Sequence, residues 1–225
     1  MFYSDTMYRT AEQVNSAMGR VYNQMVLAII NSMLVSFLVA STPSLMQLLF
    51  ATPLKWVVIF APLVAVLAIT FLMDKMNKTQ ATFALHGFAA LMGLSFSTIF
   101  VVYTMGSIAS AFFGASILFV CMSVYGYFTK RSLESFGQFL FIGLIAIVIA
   151  SIINIFVGST VAQMVISAIA VLIFTGLTAY DTQKIREMIS VENDGKAEIM
   201  GALTLYLDFI NIFLSLLQLF GNNKE

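Results

Sequence analysis

The chain has 225 residues, of which 60% are hydrophobic and 10% are charged, and its 11 basic and 11 acidic residues cancel to a formal net charge of zero. Soluble domains carry roughly 25% charged residues, so this composition excludes a soluble globular enzyme, and its hydrophobicity excludes a disordered chain. Balanced charge leaves no basic surface for nucleic acid, and the single cysteine, Cys121, excludes an intrachain disulfide.

Seven apolar runs are long enough to cross a bilayer as helices, which takes about 20 residues each. In chain order they are Val21–Ala40, Leu54–Met73, Thr82–Tyr103, Ile108–Phe128, Gln138–Val157, Val161–Tyr180 and Ile199–Phe220. They predict an all-α membrane protein built as a bundle of seven transmembrane helices. Because no large segment lies outside the runs, we expect the activity to reside within the bilayer.

Short breaks separate several of these runs. Gly106-Ser107 predicts a tight turn between the third and fourth spans, and Gly158-Ser159-Thr160 predicts one between the fifth and sixth, so each pair should form an antiparallel hairpin. Apolar residues continue after Asp181. They predict that the sixth helix extends for about two more turns, to a break near Asn193-Asp194-Gly195.

Lysine and arginine are distributed unequally between the two ends of the predicted bundle. The N-terminal segment and the second, fourth and sixth connections carry nine of them: Arg9, Arg20, Lys75, Lys78, Lys130, Arg131, Lys184, Arg186 and Lys196. The opposite side has Lys55 and Lys224. Because basic connections stay in the cytoplasm, we predict a cytoplasmic N-terminal segment (1–20), one transmembrane domain (21–220) and a short tail (221–225) outside. The span-length first run argues against a cleavable signal peptide.

The seventh span carries one polar stripe. Its members, at spacings of four, three, four and three, are Thr204, Asp208, Asn211, Ser215 and Gln218. These spacings define one helical face, and the other face is apolar, so we predict that the seventh helix is central in the bundle. Polar side chains within a bilayer are functional candidates by default. The alternative is that they only hydrogen-bond neighbouring helices.

A second carboxylate, Asp181, lies at the end of the sixth span. If the following turn is centred on Asp194, Asp181 lies 13 residues before the centre and Asp208 lies 14 after it. Such positions are level in an antiparallel hairpin, which predicts that the two carboxylates face each other. The alternative is an interfacial Asp181 that pairs with Lys184 or Arg186.

Two carboxylates close together in a low dielectric cannot both stay ionised, so the pair should lose its protons in two separate steps. With one shared proton they hold their helices together, and with both charged they repel and recruit water or a cation. Their oxygens suit a hard cation such as Ca²⁺ or Na⁺, although two carboxylates alone make a weak calcium site. The polar neighbours expected to support the pair are Thr178, Thr204, Asn211 and Ser215.

The remaining polar residues carry weaker signals. His86, the single histidine, cannot build a metal site by itself, and we expect it to be packed or interfacial. Ala89, Gly93 and Ser97 follow a small-xxx-small pattern that is typical of close helix packing. Lys75 is interpreted as a topology determinant that could also reach inward as a counter-ion for a carboxylate.

Several stretches of the chain have distinctive sequences. They are Gly176–Ile185 (GLTAYDTQKI), Gly201–Phe213 (GALTLYLDFINIF), Tyr125–Arg131 (YGYFTKR) and Ser135-Phe136-Gly137. The first two resemble the signatures of the Bax inhibitor family (transmembrane Bax inhibitor motif proteins). The similarity extends over all seven spans and is closest to the short-tailed bacterial members of the cytoplasmic membrane.

The resemblance implies a seven-helix bundle with a central last helix, located in the bacterial inner membrane. It also implies a pH-sensitive calcium leak in which Asp181 and Asp208 form the sensor, with protons and calcium as partners and no cofactor. In the family, a basic residue at the end of the second span can pair with the sensor. Lys75 is the nearest match, and lysine lacks the bidentate fork of arginine.

Three functions stay open at this point. The first is the calcium or cation leak, and the second is a membrane-embedded regulator that binds a membrane protease or a stress or cell-death partner without conduction. The third is a proton-coupled transporter. An intramembrane aspartyl protease is disfavoured because Leu205-Tyr206-Leu207 precedes Asp208 where those enzymes carry Gly-x-Gly, so we do not expect an enzyme.

Overall fold

The structure, a computed structural model, describes residues 9–192 and 195–224. Within these residues its regular secondary structure is helical, apart from one isolated bridge between Tyr103 and Asn223. The helices are α1 (Ala11–Ala40), α2 (Pro43–Phe50), α3 (Leu54–Leu72), α4 (Lys78–Phe96), α5 (Ile99–Val102), α6 (Met105–Phe128), α7 (Glu134–Val157), α8 (Thr160–Val191) and α9 (Lys196–Phe220), and a 3₁₀ turn, Met73–Lys75, follows α3. Seven helical stretches are long and apolar enough to cross a membrane, which confirms the predicted all-α membrane bundle.

Some helices begin earlier than the apolar runs because polar capping residues precede those runs. The Thr10 hydroxyl accepts a hydrogen bond from the Gln13 N–H, and the Gln13 side chain accepts one from the Thr10 N–H. Asn77 and Gln80 form the same reciprocal pair at the start of α4. Helix α1 therefore starts inside the segment 1–20, and the domain boundaries stay a prediction.

Of the two predicted tight turns, the one at Gly106-Ser107 is wrong. Thr104 caps α6 by accepting a hydrogen bond from the Ser107 N–H, so both residues of the predicted turn lie within the first turn of that helix. Gly158 does end α7, and it does so in the left-handed conformation with φ +68°.

The connection between α8 and α9 starts where the sequence predicts it. Helix α8 continues to Val191, whereas residues 193 and 194 of the predicted break lie outside the described residues. Gly195 has φ +76°, and a β-carbon there would lie 2.8 Å from the side chain of Lys78. Both observations favour glycine at this position.

The chain divides into two packing units. The first contains the described residues of Met1–Val102 and Ile185–Tyr206, and the second those of Tyr103–Lys184 and Leu207–Glu225. Helices α8 and α9 therefore contribute residues to both units. Helix α9 is the most buried of the seven, with 67% of its apolar stretch buried against 17 to 33% in the others, as predicted for the seventh span.

In the first unit, α1 and α4 pack at close range. A β-carbon on Gly93 would lie 2.6 Å from the Ser32 carbonyl oxygen and 2.8 Å from Val35 Cβ. The Ser32 hydroxyl is 2.8 Å from the Ala89 carbonyl and 2.7 Å from the Tyr206 hydroxyl. Ala89 and Gly93 thus serve close helix packing, as their spacing predicts.

In the second unit, α6 and α8 approach so closely that a β-carbon on Gly126 would overlap the Ala179 carbonyl group. We expect Gly126→Ala to lower the free energy of unfolding by about 1–3 kcal/mol, because the overlap is with backbone. Gly87→Ala in α4 is the matched control: no atom lies within 4 Å of a β-carbon there, and helix propensity predicts a gain of up to about 1 kcal/mol. Unfolding of the detergent-solubilised variants measures both changes in the free energy of unfolding. If Gly126→Ala is as stable as Gly87→Ala, the close contact between α6 and α8 at Gly126 is contradicted.

Candidate ion site

The site lies in the second unit, where the side chains of Asp181 on α8 and Asp208 on α9 are hydrogen-bonded to each other. The structure thus brings together the two residues that the hairpin register makes level. A hydrogen bond between two carboxyl groups needs one O–H donor. One of the two carboxyl groups has to carry a proton whenever this hydrogen bond is made, and the sensor role of the pair stays a prediction.

Asp208 is the more deeply buried partner, with 4% of its surface exposed. Its Oδ2 atom has no hydrogen-bond partner among the described residues. A buried polar atom without a partner is costly. The structure therefore leaves this buried carboxyl oxygen with an unused acceptor position.

Close helix contacts fix the backbone around Asp181. Gly126 of α6 packs on the α8 backbone, and Gly137 of α7 packs against the ring of Tyr180. The Thr182 hydroxyl shares a buried hydrogen bond of 3.1 Å with a hydroxyl of α6. The close contacts with α6 and α7 therefore fix the backbone position of the Gly176–Ile185 stretch of α8.

Aromatic packing fixes the turn of α9 that carries Asp208. The ring of Phe209 makes edge-to-face contacts with Phe112 and Phe119 of α6, with ring centroids 5.3 and 5.8 Å apart. Contacts of this kind add about 0.5–1.5 kcal/mol each beyond the apolar area they bury. The carboxyl group is therefore held on a rigid part of the helix.

The predicted supporting residues divide between the units. Thr178 is buried in the second unit and donates its hydroxyl to the Phe174 carbonyl at 2.8 Å, and Asn211 donates an amide N–H to the Leu207 carbonyl at 2.8 Å. Both leave a side-chain oxygen as an acceptor. Ser215 is buried in the same unit, whereas Thr204 belongs to the first unit.

Two lysines bear on the charge of the site. Lys75 is exposed in the first unit, at the end of the 3₁₀ turn, so its proposed contact with the carboxylates stays a prediction. Lys184 is one turn after Asp181 and interacts with it electrostatically. The Lys184 ammonium group lies 5.4 Å from the centroid of the Tyr180 ring, a cation–π contact that holds it close to α8.

A charged cluster in the first unit is the main feature that the sequence reading missed. Glu198, 2% exposed, accepts hydrogen bonds from Arg9 at 3.2 Å, Arg20 at 2.6 and 2.9 Å, and Lys78 at 3.1 Å. Arg20 and Lys78 are about half exposed, with side-chain values of 48% and 49%. The cluster ties the start of α9 to α1, to α4 and to the residue that precedes the α1 cap.

Helical periodicity is the signal that could have revealed Glu198. The residue precedes Ala202, Leu205 and Phe209 at spacings of four, seven and eleven, and all of them are buried. From the sequence, Arg9, Arg20 and Lys78 are interpreted only as determinants of membrane topology. Among the described residues, no group of three or more His, Cys, Asp or Glu side chains could hold a metal ion.

Comparison with known proteins gives the family. Residues 14–225 match the family described as "Inhibitor of apoptosis-promoting Bax1". The chain is 39% identical to the inner membrane protein YbhL of Escherichia coli (strain K12), over 98% of this chain and 97% of that protein. It is 38% identical to the protein RP147 of Rickettsia prowazekii (strain Madrid E), over 95% and 92% of the two chains. The chain therefore belongs to the Bax inhibitor family, as its two signature stretches indicate, and is a multi-pass integral membrane protein.

Proposed function

We propose that the protein is a cation leak channel, conducting calcium, whose gate is the Asp181–Asp208 pair. The observation that carries the proposal is the hydrogen bond between these two carboxyl groups, one of them almost fully buried, on two helices that are each long enough to span a membrane. Placing an ionisable residue inside a membrane costs free energy. Hydrogen bonding between helices does not by itself account for two carboxyl groups at such positions.

The proton held by the pair sets the direction of gating. While the carboxyls share a proton, the hydrogen bond keeps this part of α8 against α9, and the path is closed. Loss of the proton leaves two adjacent negative charges, which repel each other and attract water and a cation. Conduction should therefore increase as pH rises through the titration of the pair and fall as pH decreases.

The ligand chemistry favours a hard cation. The second unit also contains Thr178, Asn211 and Ser215, whose side chains carry oxygen atoms. Like the two carboxylates, these are the type of ligand that calcium prefers. Two carboxylates bind calcium weakly, and a conducted ion must bind weakly enough to leave the site. The positive charge of Lys184 interacts electrostatically with Asp181. It partly offsets the negative charge of the pair once both carboxyl groups are deprotonated.

The surroundings of the protein follow from the same proposal. We place it in the bacterial inner membrane with lipid as its main partner, the N-terminus in the cytoplasm and the C-terminus outside, because of the basic connections. The E. coli relative is named an inner membrane protein, which supports this location.

Calcium efflux from proteoliposomes that contain the wild-type protein tests the proposed function. We expect efflux above that of protein-free vesicles, and we expect it to persist when a protonophore removes any pH gradient. Efflux that stops without a proton gradient would favour a proton-coupled transporter. An absence of efflux at any pH would overturn the channel and favour the regulator, a role consistent with the description of the family as inhibitors of apoptosis-promoting Bax1.

A further inference from the structure

The short helix α2 leaves an apolar edge exposed between two spans of the first unit. None of its eight residues is buried, and Leu45 and Leu48 are 40% and 51% exposed. Residues 41–54, which join the end of α1 to the start of α3, contain no charged residue. The edge continues the exposed apolar surface of both spans, where Leu38 is 62% and Val57 is 60% exposed.

The exposed surface of α2 is divided into a polar side and an apolar side. Ser44 and Gln47 are exposed and lie three residues apart, and Leu45 and Leu48 have the same spacing. Residues three apart share a helix face. Each leucine follows a polar residue by one position, which is about 100° around the helix axis. This division is typical of a helix that lies in the plane of a membrane interface.

The backbone at both ends of the connection is hydrogen-bonded within the protein. The Thr42 hydroxyl donates to the Leu38 carbonyl, near the end of α1, at 2.9 Å. The Thr52 hydroxyl donates to the Leu48 carbonyl, near the end of α2, at 2.6 Å. Beside hydrocarbon, where water is absent, backbone polar groups need partners within the protein. These two hydrogen bonds meet that requirement where each helix ends.

A lysine and a tryptophan lie directly after the connection, at the start of α3. Trp56 is 57% exposed, and the Lys55 ammonium group is 5.4 Å from the centroid of its ring. The ring of Trp56 also stacks on Phe60, with the two centroids 6.2 Å apart. Exposed tryptophan is enriched where headgroups meet acyl chains, and lysine extends its charge from there towards water. The pair therefore places this boundary at the level of the connection.

We propose that α2 is an interfacial anchor that binds lipid in the outer leaflet of the membrane. Leu45 and Leu48 contact the acyl chains, whereas Ser44 and Gln47 face the headgroups and water. The basic connections make the side opposite the N-terminus the outer side. Lipid is favoured over a protein partner because the apolar edge is continuous with the surfaces of two spans that lipid covers. The anchor is independent of the proposed cation leak.

Spin labels on α2 test the anchor in liposomes of phosphatidylethanolamine and phosphatidylglycerol. Cys121→Ser removes the single cysteine, and labels are then attached singly through Ser44→Cys, Leu45→Cys, Gln47→Cys and Leu48→Cys. Dissolved oxygen collides mainly with labels among acyl chains, and a water-soluble nickel chelate collides mainly with labels in water. We expect the ratio of oxygen to nickel accessibility to be about threefold or more higher at the two leucine positions than at the two polar positions.

The polar positions are the matched controls for the leucine positions, because all four residues are exposed in the structure. If nickel reaches all four labels equally, α2 projects into water. If oxygen alone reaches all four, the helix is immersed in hydrocarbon. If neither reagent reaches them, a second copy or another protein covers α2. Each of these three results would overturn the anchor.

The fluorescence of Trp56 tests the same boundary in the unmodified protein, because the chain has one tryptophan. It decides the question if the labelled variants fail to fold. In phosphatidylcholine vesicles, bromine atoms on acyl carbons near the headgroup should quench the emission about twofold or more strongly than bromine atoms near the bilayer centre. Stronger quenching by the central bromine atoms, or quenching by aqueous iodide alone, would contradict the proposed level of the connection and with it the anchor.

Discussion

Asp208→Asn is expected to abolish the pH response of calcium efflux. An asparagine amide donates a hydrogen bond to the Asp181 carboxylate at any pH, so the contact between α8 and α9 no longer depends on a shared proton. Between about pH 5 and 8, we expect the wild type to change by about tenfold or more and the variant by less than about twofold. Efflux of the variant should stay near the low wild-type value at acidic pH.

The control for this prediction is Asp74→Asn. It makes the same chemical change at an exposed aspartate within the 3₁₀ turn, and its pH profile should match that of the wild type. A pH response that survives in Asp208→Asn would show that another group carries the sensor.

Glu198→Gln is expected to cause the largest loss of stability. The substitution removes the counter-charge of Arg9, Arg20 and Lys78 and leaves three positive groups around a neutral amide. Breaking a buried ion pair costs about 3–5 kcal/mol. Because two of the cations are half exposed and screened by solvent, we expect a loss of about 2–4 kcal/mol in the free energy of unfolding.

Glu192→Gln is the matched control for the charged cluster. It removes the same charge from an exposed residue near the end of α8, and such surface changes stay within about 0.5 kcal/mol. Denaturant unfolding of the purified proteins measures both variants. Equal stabilities would mean that the cluster around Glu198 does not anchor α9.

The spans were predictable because bilayer thickness fixes the length of an apolar helix. The runs located all seven spans, and the structure extends several of them by the capping turns that precede the apolar residues. Gly158 was correctly placed because a left-handed glycine is a strong end signal. The turn predicted at Gly106 was wrong because the sequence does not distinguish a glycine in the first turn of a helix from a glycine in a loop.

The carboxyl pair was predictable for a different reason. Asp181 and Asp208 belong to consecutive helices, and the distance of each from the intervening turn sets their relative height. For helices that are distant in sequence, no intervening turn fixes the relative height of two residues, so their contacts cannot be predicted in this way. The partners of Glu198 come from residues up to 189 positions away, so periodicity could mark it as buried but could not name Arg9 or Lys78 as its partners.

Calcium efflux from proteoliposomes, compared between the wild type and the double variant Asp181→Asn with Asp208→Asn across about pH 5 to 8, tests the central claim most directly. The carboxyl gate predicts that wild-type efflux rises with pH and that the double variant gives one value at every pH. A double variant that responds to pH as the wild type does would contradict the gate, even if both proteins conduct calcium.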